Sequence, residues 1–484
     1  MNETVGTLTS RRKLIVLVSC CLSLLIVSMD ATIVNVAIPA IRTDLSATPA
    51  QMQWVLDVYT LVLASLLMLS GATGDRFGRR RVFQIGLGVF AVGSLACSLA
   101  PTIDALIGAR LLQGIGGSML NPVALSIISQ IFVGPRERAR ALGIWGAVVG
   151  ISMALGPIVG GLLIETVGWR SVFWINLPIC AAAVLLTAIF VPETKSATMR
   201  TVDPIGQLLA VATLFGVVYT LIEGPVLGWT HARVIGVAVV AALALAAFLR
   251  YESRRDDPFL DLRFFRSIPF SSATISAVSA FSAWGAFLFM MSLYLQGERG
   301  YSAMHTGLIY LPIAVGALVF SPLSGRLVGR FGARPSLVIA GVLIATASTM
   351  LTFLTAATPV WSLLIVFTVF GIGFAMVNAP ITNAAVGGMP LDRAGAASAV
   401  TSTSRQVGVS IGVALCGSVA GSAITLAGGD FAAAARPLWF VCAALGLVIL
   451  ALGLFSTSQR AHRSAERLAP LIAGTPSPVG AHVR

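Results

Sequence analysis

The chain has 484 residues, of which 57% are hydrophobic and only 11% are charged, and its mean hydropathy is +0.91. A soluble protein carries about 25% charged residues, so this composition excludes a soluble globular protein, and it equally excludes a disordered chain. The net charge of +13 is spread over many short segments, which argues against nucleic acid as a partner.

Fourteen apolar stretches are each long enough to cross a hydrocarbon core of about 30 Å, which takes roughly 20 helical residues. In chain order they are 14–41, 51–73, 82–100, 105–132, 141–164, 172–192, 204–222, 232–250, 268–295, 304–325, 336–355, 359–386, 396–425 and 437–457. Each is continuously apolar, without the alternation of a membrane β-strand. The sequence therefore predicts an all-α membrane protein with 14 transmembrane helices. The first stretch exceeds the core of a signal peptide, and we interpret it as a membrane helix.

The distribution of Lys and Arg predicts the orientation of these helices. With the N-terminus inside, 25 of the 32 basic residues fall on the cytoplasmic side and five on the outer side. Membrane insertion produces this bias, so both termini are expected to be cytoplasmic. The other two basic residues, Arg110 and Arg405, lie within predicted spans.

Three motifs of the first half recur in the second half at nearly one offset, between 254 and 257 residues: 71–81 with 325–334, 114–116 with 371–373, and 137–139 with 392–394. The repeat predicts two six-helix bundles, with the seventh and eighth spans inserted between them as a two-helix hairpin. We expect an N-terminal bundle at 1–200, the hairpin at 201–251, a C-terminal bundle at 252–459 and a cytoplasmic tail at 460–484. Two repeated bundles around a site at mid-membrane are a transporter layout that works by alternating access.

Charged residues inside spans are functional candidates, because each costs at least about 2.5–3.5 kcal/mol to insert. At 1.5 Å per residue, Asp30, Asp57 and Arg110 fall at nearly one level in the outer half of the membrane. Burial favours the protonated form of an acid, whereas a nearby Arg favours the ionised form. These three residues are therefore predicted to couple proton binding to a conformational change. Structural alternatives remain open: Asp30 bonded to Thr32 or Asn35, Asp57 an interfacial acid, and Arg110 an ion-pair partner.

Polar and aromatic residues of the spans are expected to line a substrate cavity between the bundles: Trp54, Tyr59, Gln113, Trp145, Phe281 and Arg405. Arg405 has the alternative role of bracing its own helix through backbone carbonyls.

Two glycine-containing segments stand out. In the loop after the second span, glycines permit a tight turn, Asp75 is expected to face a helix N-terminus, and Arg79 is expected to pair with an acid of the other bundle. The fifth span contains Gly156, Pro157, Gly160 and Gly161, where close glycines let helix backbones approach. Two structural alternatives remain open: the basic residues of the loop only anchor it on the cytoplasmic side, and the glycines of the span only allow close helix packing.

These motifs, together with 29–39 and 110–117, resemble the fourteen-helix drug–proton antiporter branch of the major facilitator superfamily, and the resemblance covers both bundles. It identifies Gly71, Asp75, Arg76, Gly78 and Arg79 as a cytoplasmic latch that favours the outward-open state. It also identifies 156–161 as a motif associated with antiporters. The second copy of the loop departs from the pattern, with Gly329 in the place of Asp75, so only the first copy can act as a charged latch.

The sequence thus predicts a proton-coupled antiporter of small amphipathic compounds in a bacterial cytoplasmic membrane, and the resemblance favours a cationic substrate. Its expected partners are a small-molecule substrate, protons and the lipid bilayer, with the protein acting as a monomer. No cofactor, metal site or enzymatic activity is predicted, since neither a phosphate-binding loop nor a nucleophile elbow is present. A symporter or dedicated exporter of one metabolite is the competing prediction, and a receptor or scaffold that transports nothing is a remote one.

Overall fold

The structure is a computed structural model that describes residues 9–132, 134–194, 203–255, 260–386, 394–425 and 431–456, together with 458, 461, 463 and 464. Every regular element in this part of the chain is helical, as predicted from the continuous apolar stretches. Nearly all of the predicted tail, 460–484, lies outside the described residues, as do parts of the links around 200 and 256. The predicted domain boundaries therefore stay predictions.

The first seven helices form what we call the N-terminal bundle: α1 (Ser10–Leu45), α2 (Pro49–Phe77), α3 (Arg79–Ser98), α4 (Ile103–Ile131), α5 (Pro135–Thr166), α6 (Ser171–Trp174) and α7 (Asn176–Phe190). Local sequence sets where they begin. Thr48 and Gln51 form a capping box at the start of α2, and Thr102 caps α4, which satisfies backbone N–H groups that have no partner inside the helix.

Two long helices follow as a hairpin, α8 (Pro204–Leu227) and α9 (Ala232–Glu252). The remaining helices form what we call the C-terminal bundle: α10 (Ile268–Leu293), α11 (Ala303–Ile309), α12 (Leu311–Phe331), α13 (Ala333–Leu351), α14 (Val360–Ala375), α15 (Asn378–Val386), α16 (Ala394–Thr425) and α17 (Phe431–Phe455). A π-helical turn, Tyr294–Glu298, extends α10.

Twelve helices among the described residues are long and apolar enough to cross a membrane. They correspond to the predicted spans except the fifth and the thirteenth, which fall on α5 and α16. The apolar helical segment counted within α5 is the shorter Leu155–Thr166. The count of fourteen membrane helices therefore stays a prediction.

The two bundles meet along three lines of contact, and the hairpin lies beside one of them. Helix α1 contacts α10, α2 contacts α16, and α5 contacts both α11 and α12. Helix α8 contacts α2 and α16 together, so the hairpin covers the edge of the α2–α16 pair. The lines of contact between the bundles are where the candidate site is found.

Candidate functional site

A buried ion pair lies inside the N-terminal bundle. Asp30 of α1 pairs with Arg110 of α4, and both side chains are almost fully buried. Gln113 donates to Asp30 Oδ1 at 2.9 Å and accepts from Arg110 Nη1 at 2.6 Å. Asn176 of α7 donates to Asp30 Oδ1 at 3.1 Å and to Ser94 Oγ of α3 at 3.1 Å. Side chains of α4 and α7 thus hold the Asp30 carboxylate, and Ser94 of α3 holds one of those side chains in turn. These partners differ from the Thr32 and Asn35 considered above.

Arg110 is also held by α2. Its Nε donates to the Val55 carbonyl at 3.0 Å, and its guanidinium lies 4.1 Å from the centroid of the Tyr59 ring, within the range of a cation–π interaction. Tyr59 and Gln113 have no exposed surface. The expectation that these two residues line a cavity between the bundles is corrected here: a buried guanidinium needs acceptors and a ring face, and they supply them.

Asp57 does not join this ion pair. It lies on the face of α2 that packs against α16, where Gln53 Nε2 donates to the Val413 carbonyl at 2.7 Å and the Thr60 and Ser410 hydroxyls are 2.6 Å apart. Asp57 is fully buried, and neither of its oxygens makes a hydrogen bond of ordinary geometry to a described residue. The Ser410 hydroxyl lies beside it and shares a hydrogen bond with Thr60. Asp57 is therefore a buried carboxyl on the seam between the two bundles, and no Lys or Arg in the described part of the chain pairs with it.

The same ends of the bundles are joined along the other two contact lines. Ser292 of α10 donates to the Asn35 carbonyl of α1 at 2.6 Å, and Gln296 donates to the Val36 carbonyl at 2.9 Å. The Met304 N–H of α11 donates to Glu165 Oε2 of α5 at 3.2 Å. We call this end, which the positive-inside pattern predicts to face outside, the outer end. The two bundles are in contact there.

The glycines of α5 explain how it touches two helices at once. The predicted motif comprises Gly156, Pro157, Gly160 and Gly161. A Cβ at Gly156 or Gly160 would collide with α1, whereas one at Gly161 would collide with the backbone that begins α11. Gly307 of α11 lies against the Pro157 carbonyl in return. The motif thus forms a close backbone contact within the N-terminal bundle and a second one across to the C-terminal bundle.

The predicted latch is paired within its own bundle. Arg79 donates to Asp75 Oδ1 at 2.7 Å, and its backbone N–H donates to the Thr194 carbonyl at 3.0 Å. Gly78 adopts φ +112°, with Glu193 where a side chain would otherwise lie. The expected pairing of Arg79 with an acid of the other bundle is therefore wrong for this conformation, because Asp75, four residues earlier, meets it first.

The rest of the latch, and its repeat, follow from the turn. Gly71 packs beside Pro122 of α4, and Arg76 is exposed. Gly332 ends α12 with φ +78°, 254 residues after Gly78, so both copies of the motif turn at a glycine in a conformation that side chains disfavour.

The remaining residues predicted for the cavity separate into different places. Arg405 Nη2 donates to Thr382 Oγ1 at 2.7 Å, and its guanidinium lies 5.8 Å from the Phe281 ring centroid, so these two predicted residues are neighbours in the C-terminal bundle. Trp54 instead faces the hairpin, where its indole N–H donates to Glu223 of α8. The expectation that Trp54 lines a cavity between the bundles is therefore also corrected. Trp145 of α5 is half-buried and packs on the apolar core of the N-terminal bundle.

Sequence reasoning missed Ser94, Glu193 and the role of Asn176. Ser94 and Asn176 are polar residues within apolar segments, and that placement was the available signal, because a buried polar group needs a partner.

Comparison with known proteins gives one family. The family model described as Major Facilitator Superfamily matches residues 20–413. The chain is 37% identical over 410 residues to "Multidrug resistance protein Stp" of Mycobacterium tuberculosis, covering 85% of this chain and 76% of the relative. It is 36% identical over 403 residues to "Tetracenomycin C resistance and export protein" of Streptomyces glaucescens, covering 83% and 74%.

The fold also matches a solved structure. The crystal structure of a D-xylose-proton symporter superposes with a TM-score of 0.66, at 14% identity, over 92% of this chain and 97% of the other. At that identity the match establishes the fold alone.

Proposed function

The chain belongs to the Major Facilitator Superfamily, and from this premise we propose that it is a proton-coupled antiporter that exports small amphipathic organic compounds by alternating access. Relatives named for drug resistance and for export support this direction of transport and this class of cargo. An embedded acid at Asp57 favours cargo that carries a positive charge.

The observation that carries the proposal is the position of Asp57. Its carboxyl group is buried on the α2–α16 seam without a cation or a hydrogen bond of ordinary geometry among the described residues. Burying an uncompensated charge costs several kcal/mol, whereas a neutral acid costs far less. A closed outer seam is therefore compatible with protonated Asp57, and loss of the proton favours opening.

This dependence gives the order of an export cycle. With the outer ends apart, Asp57 takes a proton from the outside, and the seam can close. With the outer ends in contact, as in this structure, the proton leaves towards the cytoplasm and cargo enters from that side. The charged carboxylate then destabilises the seam, the outer ends separate, and cargo leaves. The latch is paired within the N-terminal bundle in this conformation, and we propose that it pairs across the bundles in the other one.

Asp30 and Arg110 complete the proposed coupling. Because Asp30 is held by donors from α4 and α7, a proton on it would leave the Arg110 charge uncompensated and shift helices of one bundle against each other. We propose that Arg405 and Phe281 contact the cargo from the C-terminal bundle. In this proposal α5 and α16 supply the fifth and the thirteenth of fourteen spans, both termini are cytoplasmic, and a monomer acts in a bacterial cytoplasmic membrane.

The test is dye transport into proteoliposomes with an acid interior, using ethidium as the cargo. Molecules whose outer face points inwards should accumulate ethidium against its gradient. Asp57→Asn should reduce this accumulation at least tenfold, to the level seen without a pH difference, while ethidium binding is retained. Asp104→Asn is the matched control, because Asp104 is an exposed acid in the first turn of α4, and it should transport as the unmodified protein does.

Other outcomes overturn the proposal. If Asp57→Asn and Asp30→Asn both accumulate ethidium at the unmodified rate, neither acid couples protons to transport. Accumulation driven by an acid exterior would establish co-transport, as in a symporter. Absence of flux for a broad panel of dyes and antibiotics would favour a receptor or scaffold.

A further inference from the structure

The hairpin and α2 line an open apolar pocket that lies apart from the seam between the bundles. Its volume is about 350 Å³, and its lining includes Trp54 of α2, Phe215 and Tyr219 of α8, and Val237 and Val240 of α9. This volume is at the lower end of the range for small-molecule sites. Val240 is 59% exposed, so the rim of the pocket reaches the surface that faces lipid.

Two aromatic rings line one side of the pocket, and one of them is hydrogen-bonded to an acid next to the pocket. The Trp54 and Tyr219 ring centroids are 6.2 Å apart, with the planes inclined by 48°. Trp54 Nε1 donates to Glu223 Oε1 at 2.9 Å. Glu223 follows Tyr219 by one helical turn, so both lie on the same side of α8.

The Glu223 carboxylate can accept further hydrogen bonds. A carboxylate offers about four lone-pair sites, and the Trp54 indole occupies one of them. Among the described residues, no Lys or Arg forms an ion pair with Glu223. Glu223 is also the only acidic residue between the ends of the hairpin helices, since Asp203 and Glu252 lie at their cytoplasmic ends.

We propose that this pocket is a lateral binding site for a lipophilic organic cation that enters from the membrane. The rings of Trp54 and Tyr219 attract a cation through their faces, Glu223 supplies the opposite charge, and the apolar remainder takes the hydrocarbon part. An uncharged acyl chain would use the apolar walls but would leave Glu223 unmatched. The proposal concerns a second site and does not rest on transport.

A ligand in this pocket would press directly on α2. Trp54 and Asp57 are separated by less than one turn of that helix, and Gln53 on the same turn bonds to α16 across the seam. Binding beside the hairpin would therefore bias the seam without occupying the space between the bundles.

The test is equilibrium binding of tetraphenylphosphonium to the full chain in lipid nanodiscs. Glu223→Gln should weaken one class of sites about tenfold. Gly236→Leu should abolish that class, because Gly236 lines the pocket and a Cβ there meets open space, so the added side chain fills the cavity without displacing a neighbour. Gly108→Leu is the matched control, because Gly108 is an exposed glycine of α4 with open space around its Cβ position, and it should bind as the unmodified protein does.

The stoichiometry separates this proposal from the proposed transport. If both hold, the unmodified chain binds two cations and Gly236→Leu binds one. If the seam holds no cation site, the numbers are one and zero. Tetraphenylborate, of similar shape but opposite charge, should not bind the pocket. The proposal is overturned if both ions bind equally well, or if neither the Glu223→Gln variant nor the Gly236→Leu variant changes the affinity. Either result would mean that the pocket is a lipid groove.

Discussion

Neutralising Arg110 should destabilise the N-terminal bundle strongly. In Arg110→Gln the Asp30 carboxylate loses its cation while it stays fully buried, and the Val55 carbonyl loses its donor. Removing one partner of a buried pair costs about 3–5 kcal/mol. With the bundle of roughly 200 residues as the unfolding unit, this cost lowers Tm by about 6–20 °C. The change is measured by thermal unfolding of the purified protein in detergent.

The double variant decides whether the two charges act on each other. Asp30→Asn with Arg110→Gln removes both charges and leaves amides that can bond to each other and to Gln113. We expect it to be more stable than the sum of the two single losses predicts, by about 1–3 kcal/mol of coupling. Strict additivity, or a Tm in Arg110→Gln that matches the unmodified protein, would refute the conclusion that this is a coupled buried ion pair.

Three further changes probe the contacts around the site. Gly161→Val should prevent close contact between α5 and α11, because the added Cβ would meet the Ala303 and Met304 backbone; hydrogen–deuterium exchange in α11 should rise, and unchanged exchange would contradict this. Thr60→Val removes the partner of Ser410, which is worth about 1 kcal/mol. The population with separated outer ends should rise about fivefold in spin-label distance measurements between α2 and α16. Glu193→Gln removes the charge that pairs with the exposed Arg81 and weakens the bond to the Arg80 N–H, so Tm should fall by no more than about 4 °C, with ethidium transport unaffected.

Sequence could place charged residues by depth but not by direction. Asp30 and Arg110 were predicted at one level, and they meet. Asp57 was predicted at that level too, yet it faces the other way. Val55 and Tyr59, one turn apart on α2, face Arg110, and Asp57 lies between them in sequence, about 200° around the helix from Val55. Depth needs only a residue count, whereas direction depends on which face of a uniformly apolar helix its neighbours cover.

The same limit explains Trp54 and the latch. An aromatic residue near a predicted cavity is indistinguishable in sequence from one that faces a neighbouring pair of helices, because both surroundings are apolar. The latch residues were identified by motif and their turn was predicted from glycine, but the partner of Arg79 depends on which conformation is present. The membrane composition and the repeats therefore predicted an all-helical membrane protein, whereas which side chains pair depends on how the helices pack.

The hairpin is attached to its two neighbours by different kinds of contact. Trp54 of α2 donates a hydrogen bond to Glu223 of α8, and the Ser65 carbonyl of α2 accepts one from Gln207 of α8. Towards α16 the described contact is apolar, with Ala414 against side chains of α8. Hydrogen bonds fix direction, whereas smooth apolar surfaces can slip. If the bundles rock as proposed, α8 and α9 should therefore move as one body with the N-terminal bundle, and α16 should slide along them.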